Sequence, residues 1–213
     1  MIFHHINSNI TLGDVIDICN LKYTDFDRNT LISGFYRPTV ACKNDLTFYN
    51  NSKYSNKTNA NFILTTEKFL NKFNKNKILL ISNNIDADIA KLSNLFYRMK
   101  SKDEITELGK PNIGPESNIS KKSIINKAVN IGKNFSLGHY STIDHNCLIG
   151  NNVKIGNNTC ISNAVIGDNV DIADGVKIGQ SGFGFAYDEN NIIKIFHIGR
   201  VIIQNGVSIG TNC

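Results

Sequence analysis

The chain has 213 residues, of which 41% are apolar and 19% charged, and its 23 Lys+Arg against 18 Asp+Glu leave a net charge of +5. Those proportions exclude global disorder, and the length admits one large domain or two small ones with a real core. The positive balance is diffuse, with no basic helix and no basic–aromatic interleave, which argues against a nucleic-acid partner. Cys19, Cys42, Cys147, Cys160 and Cys213 show neither CxxC nor metal-ligand spacing, so they read as reduced thiols, with no metal site and no disulfide framework. The opening MIFHHINSNITLGDV has no basic region followed by an apolar one, and no run reaches the length of a membrane span. A cytoplasmic, non-membrane-spanning protein is expected.

Residues 1–100 read as a small α/β domain. TLGDVIDICNL (Thr11–Leu21) predicts a short amphipathic helix with Thr11 as its N-cap. ACKNDLTFYNNSKYSNKT is polar and turn-rich, while NANFILTTEKF and KNKILLISNN each hold a strand-like apolar run. From Asp88 to Met99, Ile89, Leu92, Leu95 and Phe96 fall on one helical face. A polar linker, 101–111, follows.

From residue 112 the period changes. An aliphatic side chain recurs every six residues from Ile113 to Ile161, resumes after one five-residue step at Ile166, Ile172 and Ile178, and returns at Ile203 and Ile209. Neither a helix nor a long strand has a period of six. Four residues after each aliphatic stands something small or β-branched, with Phe135 the exception on size. Three residues after it, Asn or Gly dominates (Asn134, Asn146, Asn152, Asn158, Asn169, Gly175, Gly206, Asn212), the types that tolerate positive φ best. Each unit is then a short strand and a tight turn, and three units close one coil of a parallel β-helix over 112–213. An ordinary sandwich would need turn signals at wider spacing, and these are absent.

The repeat is broken over 182–197, and insertions in solenoids emerge as loops, often on a binding face. SGFGF (Ser181–Phe185) is a poor phosphate loop, since no helix and no Lys-Ser/Thr follows. SGFGFA, then KIFHIGRVII and VSIGTN, resembles the UDP-3-O-(3-hydroxyacyl)glucosamine N-acyltransferases of lipid A biosynthesis, with Phe196 where that family usually has Pro. ISGFYRPTVACKNDLTFYNNSKY and NLFY resemble the same family's first domain in order and spacing.

The resemblance implies a left-handed β-helix, a homotrimer, and transfer of a 3-hydroxyacyl chain from acyl carrier protein to the 2-amino group of UDP-3-O-acyl-glucosamine in the cytoplasm of a Gram-negative-type bacterium. It implies no cofactor beyond the carrier's thioester. An F-x-x-N-x-x-Y arrangement in the family holds the uridine, and the matching residues are Phe48, Asn51 and Tyr54. Two aromatic faces can stack on a pyrimidine and an amide can read its edge. On the residues alone, Phe48 as core and Tyr54 as surface is the plainer reading; the resemblance shifts it to binding. Phe183, Phe185 and His197 are implied as possible walls of the site.

The family's general base is a His in an I-A-H-N motif that lies beyond Cys213, so no catalytic residue is expected in the chain as given, which would then be C-terminally truncated relative to that family. His145, in IDHN, and His139 sit at turn positions, and His4 and His5 read as surface. Two alternatives stay open: a catalytically inactive UDP-sugar-binding module, and another hexapeptide-repeat acyltransferase.

Overall fold

The computed structural model describes residues 5–7, 9–23, 26–51, 57–98, 109–144, 147–189 and 191–213. By internal contacts the chain forms two compact units, one made of residues 4–99 with 183–196 and the other of 1–3, 100–182 and 197–213. The residues inserted between hexapeptides are thus grouped with the first domain, although they interrupt the repeat in sequence.

In the first unit, β1 (His5–Ile6) precedes α1 (Leu12–Cys19) and β2 (Lys22–Tyr23). Thr11 caps α1 as expected: its hydroxyl accepts the Asp14 N–H at 3.2 Å, and the Asp14 carboxylate accepts the Thr11 N–H at 2.8 Å. This reciprocal pair satisfies donors that the first helical turn leaves orphaned. Asn20, in the left-handed region at φ 49°, closes the helix.

β3 (Leu46–Tyr49), β4 (Phe62–Thr65) and β5 (Ile78–Ile81) run parallel in register, Leu46 beside Phe62 beside Ile78, and β2 adds to β5 antiparallel. The expectation of a polar, turn-rich stretch at 41–58 is therefore corrected at β3, where four residues pair fully with β4. Both faces of the sheet are apolar. Leu46, Phe62, Leu64 and Leu80 join the core beneath α1 and α2 (Ile85–Phe96), whereas Tyr49 and Ile63 pack on Phe69 from the other side. β6 (Tyr97–Arg98) follows α2 and pairs antiparallel with β1.

α2 begins three residues before the expected Asp88 and ends three before Met99. Its start is set by Asn84, whose side-chain oxygen accepts the Ala87 N–H at 3.3 Å. Leu92 and Phe96 are buried on the predicted face. A second face of Ala87 and Ala90 receives Ala186, Ile193 and Ile195 of the inserted segment, which folds as a hairpin of strands Phe185–Asp188 and Asn191–Lys194.

The second unit is a parallel β-helix. Its two- and three-residue strands stack as three sheets, and partners in successive coils lie three hexapeptides apart: Ile113, Ile131, Ile149, Ile166 and Ile203 form one ladder. Ile119, Leu137, Ile155, Ile172 and Ile209 form the second, and Ile125, Ile143, Ile161 and Ile178 the third. The positions four residues on fill the interior with Val129, Cys147, Val153, Val170 and Val176; Phe135, 1% exposed, is also accommodated there. Ser141 and Thr159 are buried without loss because each hydroxyl donates to a carbonyl of the next coil, Gly156 at 2.6 Å and Ala173 at 3.1 Å.

The turns explain the rest of the pattern. Asn134, Asn152, Asn158, Asn169, Gly175, Gly206 and Asn212 have positive φ as predicted, but so do Glu116, Ala128 and Tyr140 at equivalent places. Coil closure therefore imposes the backbone conformation and residue type only makes it cheaper. Asn146 lies outside the described residues. Gly150 answers a different need: a Cβ there would lie 2.7 Å from the Gly167 backbone of the coil above. Side-chain oxygens of Asn151, Asp168 and Asn205 accept backbone N–H groups of the preceding coil at 3.0, 2.6 and 2.8 Å, stitching corner to corner.

Candidate functional site

In the first unit, alternation along β3 directs Leu46 and Phe48 to the helix-covered face and Tyr49 to the opposite one. Phe48 is half-buried, its ring tilted on Phe35 at 5.7 Å, and Phe35 in turn stacks on Phe96 at 5.9 Å. The ring is thus fixed by core neighbours while remaining partly accessible. Tyr97, whose hydroxyl donates to the Phe35 carbonyl, braces the same cluster; burial pushes its phenol well above the usual range, so it stays protonated and available as that donor. Asn51 is half-buried just past the C-terminal end of β3, on the same chain segment as Phe48. Tyr54, the third predicted member, lies outside the described residues.

The inserted hairpin presents a different surface. Phe183 is 97% exposed and Phe185 38%, their rings edge to face at 4.8 Å. With Tyr187 and Ile192 they line an apolar cleft of about 400 Å³. The hairpin's other side is held firmly. Asn84 and Asn94 donate side-chain N–H groups to the Tyr187 and Lys194 carbonyls at 2.8 and 2.9 Å, and Lys91 pairs with Asp188 at 2.6 Å. Asp188 raises the Lys91 ammonium above its ordinary value. Asp88, one turn before Lys91 and 3.7 Å from its ammonium, is buried and accepts the Ser82 hydroxyl at 2.6 Å. Burial nonetheless raises its carboxyl above the ordinary value. These anchors were not legible in the sequence, because Ala, Asn and Ser give no apolar periodicity.

The histidines separate cleanly. His197 is exposed at the base of the insertion, where its Nδ1 accepts the Gly182 N–H at 3.4 Å and its ring lies between Gly182 and Gly199. His139, also exposed, has its Nδ1 2.6 Å from the Ser120 hydroxyl, and its backbone N–H donates to Asn157 at 2.7 Å. His4 and His145 lie outside the described residues, as does the side chain of His5. His197 and the Phe183–Phe185 pair belong to different units, as do His197 and the Phe48–Asn51 segment. Within the β-helix, burial raises the Cys147 thiol to about 11, consistent with an inert core residue.

Comparison with known proteins adds two findings. Residues 128–163 and 146–180 match the bacterial transferase hexapeptide family of six repeats. A 36-residue stretch is 58% identical to the UDP-3-O-acylglucosamine N-acyltransferase of Rhizobium rhizogenes, and a stretch of the same length is 61% identical to the enzymes of that name from Legionella pneumophila, there numbered 2, and Rickettsia typhi. Each match spans 17% of this chain and 10% of the relative's length. The chain thus carries bacterial transferase hexapeptide repeats, and in sequence it is similar to N-acyltransferases. Among the described residues, no helix is long and apolar enough to cross a membrane.

Proposed function

We propose that this chain takes part in N-acyl transfer to UDP-3-O-acyl-glucosamine, receiving a 3-hydroxyacyl group from the thioester of acyl carrier protein, in the cytoplasmic stage of lipid A assembly. The observation that carries this reading is the 58–61% identity, over 36 residues, to proteins named UDP-3-O-acylglucosamine N-acyltransferase, within a chain of hexapeptide coils. Phe48, Asn51 and Tyr54 are the proposed uridine contacts. A ring wedged against Phe35 offers a preset stacking face, and the Asn51 amide carries both donor and acceptor for a pyrimidine edge. Phe183 and Phe185 in the first unit are proposed to contact the substrate, and so, separately, is His197 in the second. A homotrimer is the proposed working form, with no metal required by the transfer.

The chemistry calls for a base to take a proton from the attacking amine and for donors to the oxyanion. His197 accepts the Gly182 N–H through Nδ1, which leaves the neutral ring's proton on Nε2 and no lone pair free to take one from an amine. That observation favours, as a second reading, a UDP-sugar-binding module without transfer activity of its own. Binding and turnover separate the two. UDP-N-acetylglucosamine should bind the full chain and weaken at least tenfold in Phe48→Ala, a loss of ~1.4 kcal/mol in keeping with one base stack; unchanged affinity refutes the uridine site. Transfer of a labelled hydroxyacyl group from its carrier protein to UDP-3-O-acyl-glucosamine would establish the enzyme reading, and binding without transfer the second.

A further inference from the structure

We infer that Cys160 and Lys177 form a redox-modification site, where hydrogen peroxide joins thiol and amine into a sulfenamide that staples two successive coils. The site lies in the second unit and is independent of the proposed transfer reaction. Cys160 opens the strand Cys160–Ile161, and Lys177 opens Lys177–Ile178, its parallel partner one coil on. Ile161 and Ile178 are core residues, so alternation turns the two preceding side chains outward as a cross-strand pair. The bonds from Cys160 N–H to the Val176 carbonyl and from Ser162 N–H to the Ile178 carbonyl, both 2.9 Å, fix that register.

On this frame the Lys177 ammonium lies 3.3 Å from the Cys160 sulfur and donates to it. It also donates to the Asn158 carbonyl at 2.6 Å, which pins the nitrogen beside the turn that enters the cysteine's strand. The pairing makes the site. Cys160 is half-buried and Lys177 exposed, so a small oxidant can reach the sulfur. The other thiols differ: Cys19 and Cys147 are buried, and the sulfur of the exposed Cys42 meets the Val40 carbonyl at 3.9 Å.

The chemistry balances in two steps. The Cys160 thiol takes one oxygen from hydrogen peroxide, giving a sulfenic acid and water; sulfur is oxidised and peroxide reduced. Lys177, having released a proton to water, then attacks the sulfenic sulfur with its nitrogen lone pair. The S–N bond forms, the S–O bond breaks, and hydroxide leaves as water with a second proton from the nitrogen. The flexible lysine stem supplies the approach the bond requires, with the backbone ladder undisturbed. An external thiol reverses the bond by attacking the sulfur and freeing the amine, and a second thiol reduces the resulting disulfide.

The test treats the full chain with dilute hydrogen peroxide and reads tryptic peptides by mass. Residues 155–177 contain no Lys or Arg before Lys177, so trypsin releases them as one peptide from the untreated chain. The cross-link should abolish the cut after Lys177, leaving 155–194 as a single peptide lighter by two hydrogens than its unmodified mass. Dithiothreitol should restore the cut. Cys160→Ser should keep the cut under peroxide, and Lys177→Arg should leave Cys160 as a sulfenic acid trapped by dimedone, with native circular dichroism checked for both. Undiminished cleavage after Lys177, or a block that persists in Cys160→Ser, would overturn the inference. So would a bridge that retains the oxygen, or a disulfide from Cys160 to Cys213, whose carbonyl accepts the Lys177 N–H at 2.9 Å.

Discussion

Ile131, Ile149 and Ile166 in the β-helix meet nearly the same neighbours, one coil after another. Leu80 in the first unit has no counterpart: it sits where one strand, two helices and the distant β2 converge. The first arrangement is a sum of nearest-neighbour contacts, and a lesion in it is felt mainly by adjacent coils. The second is closed by long-range pairings of three parallel strands, and a lesion there is felt by the whole sheet. The two units should therefore respond differently to damage of the same size.

The sharpest test replaces the one outsized interior residue of the repeat. Phe135→Ala should cost the β-helix about 4 kcal/mol, read as an earlier urea transition of β-helix amides, with those of α1 and α2 unmoved; a joint shift of both units would break the distinction. Gly150→Ala comes next, at about 2–3 kcal/mol, because the new Cβ meets backbone that cannot turn aside. Glu116→Gly should act in the opposite direction, stabilising by about 1 kcal/mol, since Glu116 is held at φ 61°. If it destabilises, the turn is chosen by its residue and not by coil closure. Thr11→Ala should cost the first unit about 1 kcal/mol through its lost cap, with no effect on the melting of the coils.

The smallest effect is a pH dependence within the first unit. Burial raises the Asp88 carboxyl above its ordinary value, so protonation favours the folded state. The associated stability is fully present below the ordinary carboxyl range and is lost as pH rises through the folded value. Asp14 behaves oppositely. Its bonds to Thr11 lower its carboxyl, so that contribution is present at neutral pH and is lost as pH falls through the folded value. Asp88→Asn, which can still accept from Ser82, should flatten the decline above the ordinary range and leave the acid limb intact. A profile identical to the parent's would show that Lys91 already offsets the burial.

Legibility followed the same divide. The ladders and the buried small residues could be read directly, because a period of six repeats each constraint many times. The positive φ of Glu116, Ala128 and Tyr140 could not, since the geometry is imposed by the coil and leaves no mark on those residue types. In the first unit α1 was plain from its amphipathic run and Thr11 as cap, while β3 was hidden: four residues in a polar stretch carry too little pattern, and their partner lies on a separate strand. The start of α2 was missed because Asn84, not the apolar spacing, sets it. Of the candidate binding residues, Phe48 and Asn51 were reachable only through the family resemblance, and the Cys160–Lys177 pair had no contiguous signature, since its members sit on successive coils.

The step from Ile161 to Ile166 is a residue short, and the whole hairpin is spliced in before Val201, yet Ile149, Ile166 and Ile203 remain in register. The shortfall is absorbed at the corner by Asn163, at φ 44°. The solenoid therefore counts faces, not residues. A deletion or a graft at a corner is an edit between words, whereas a single residue added within a strand would garble every word above it.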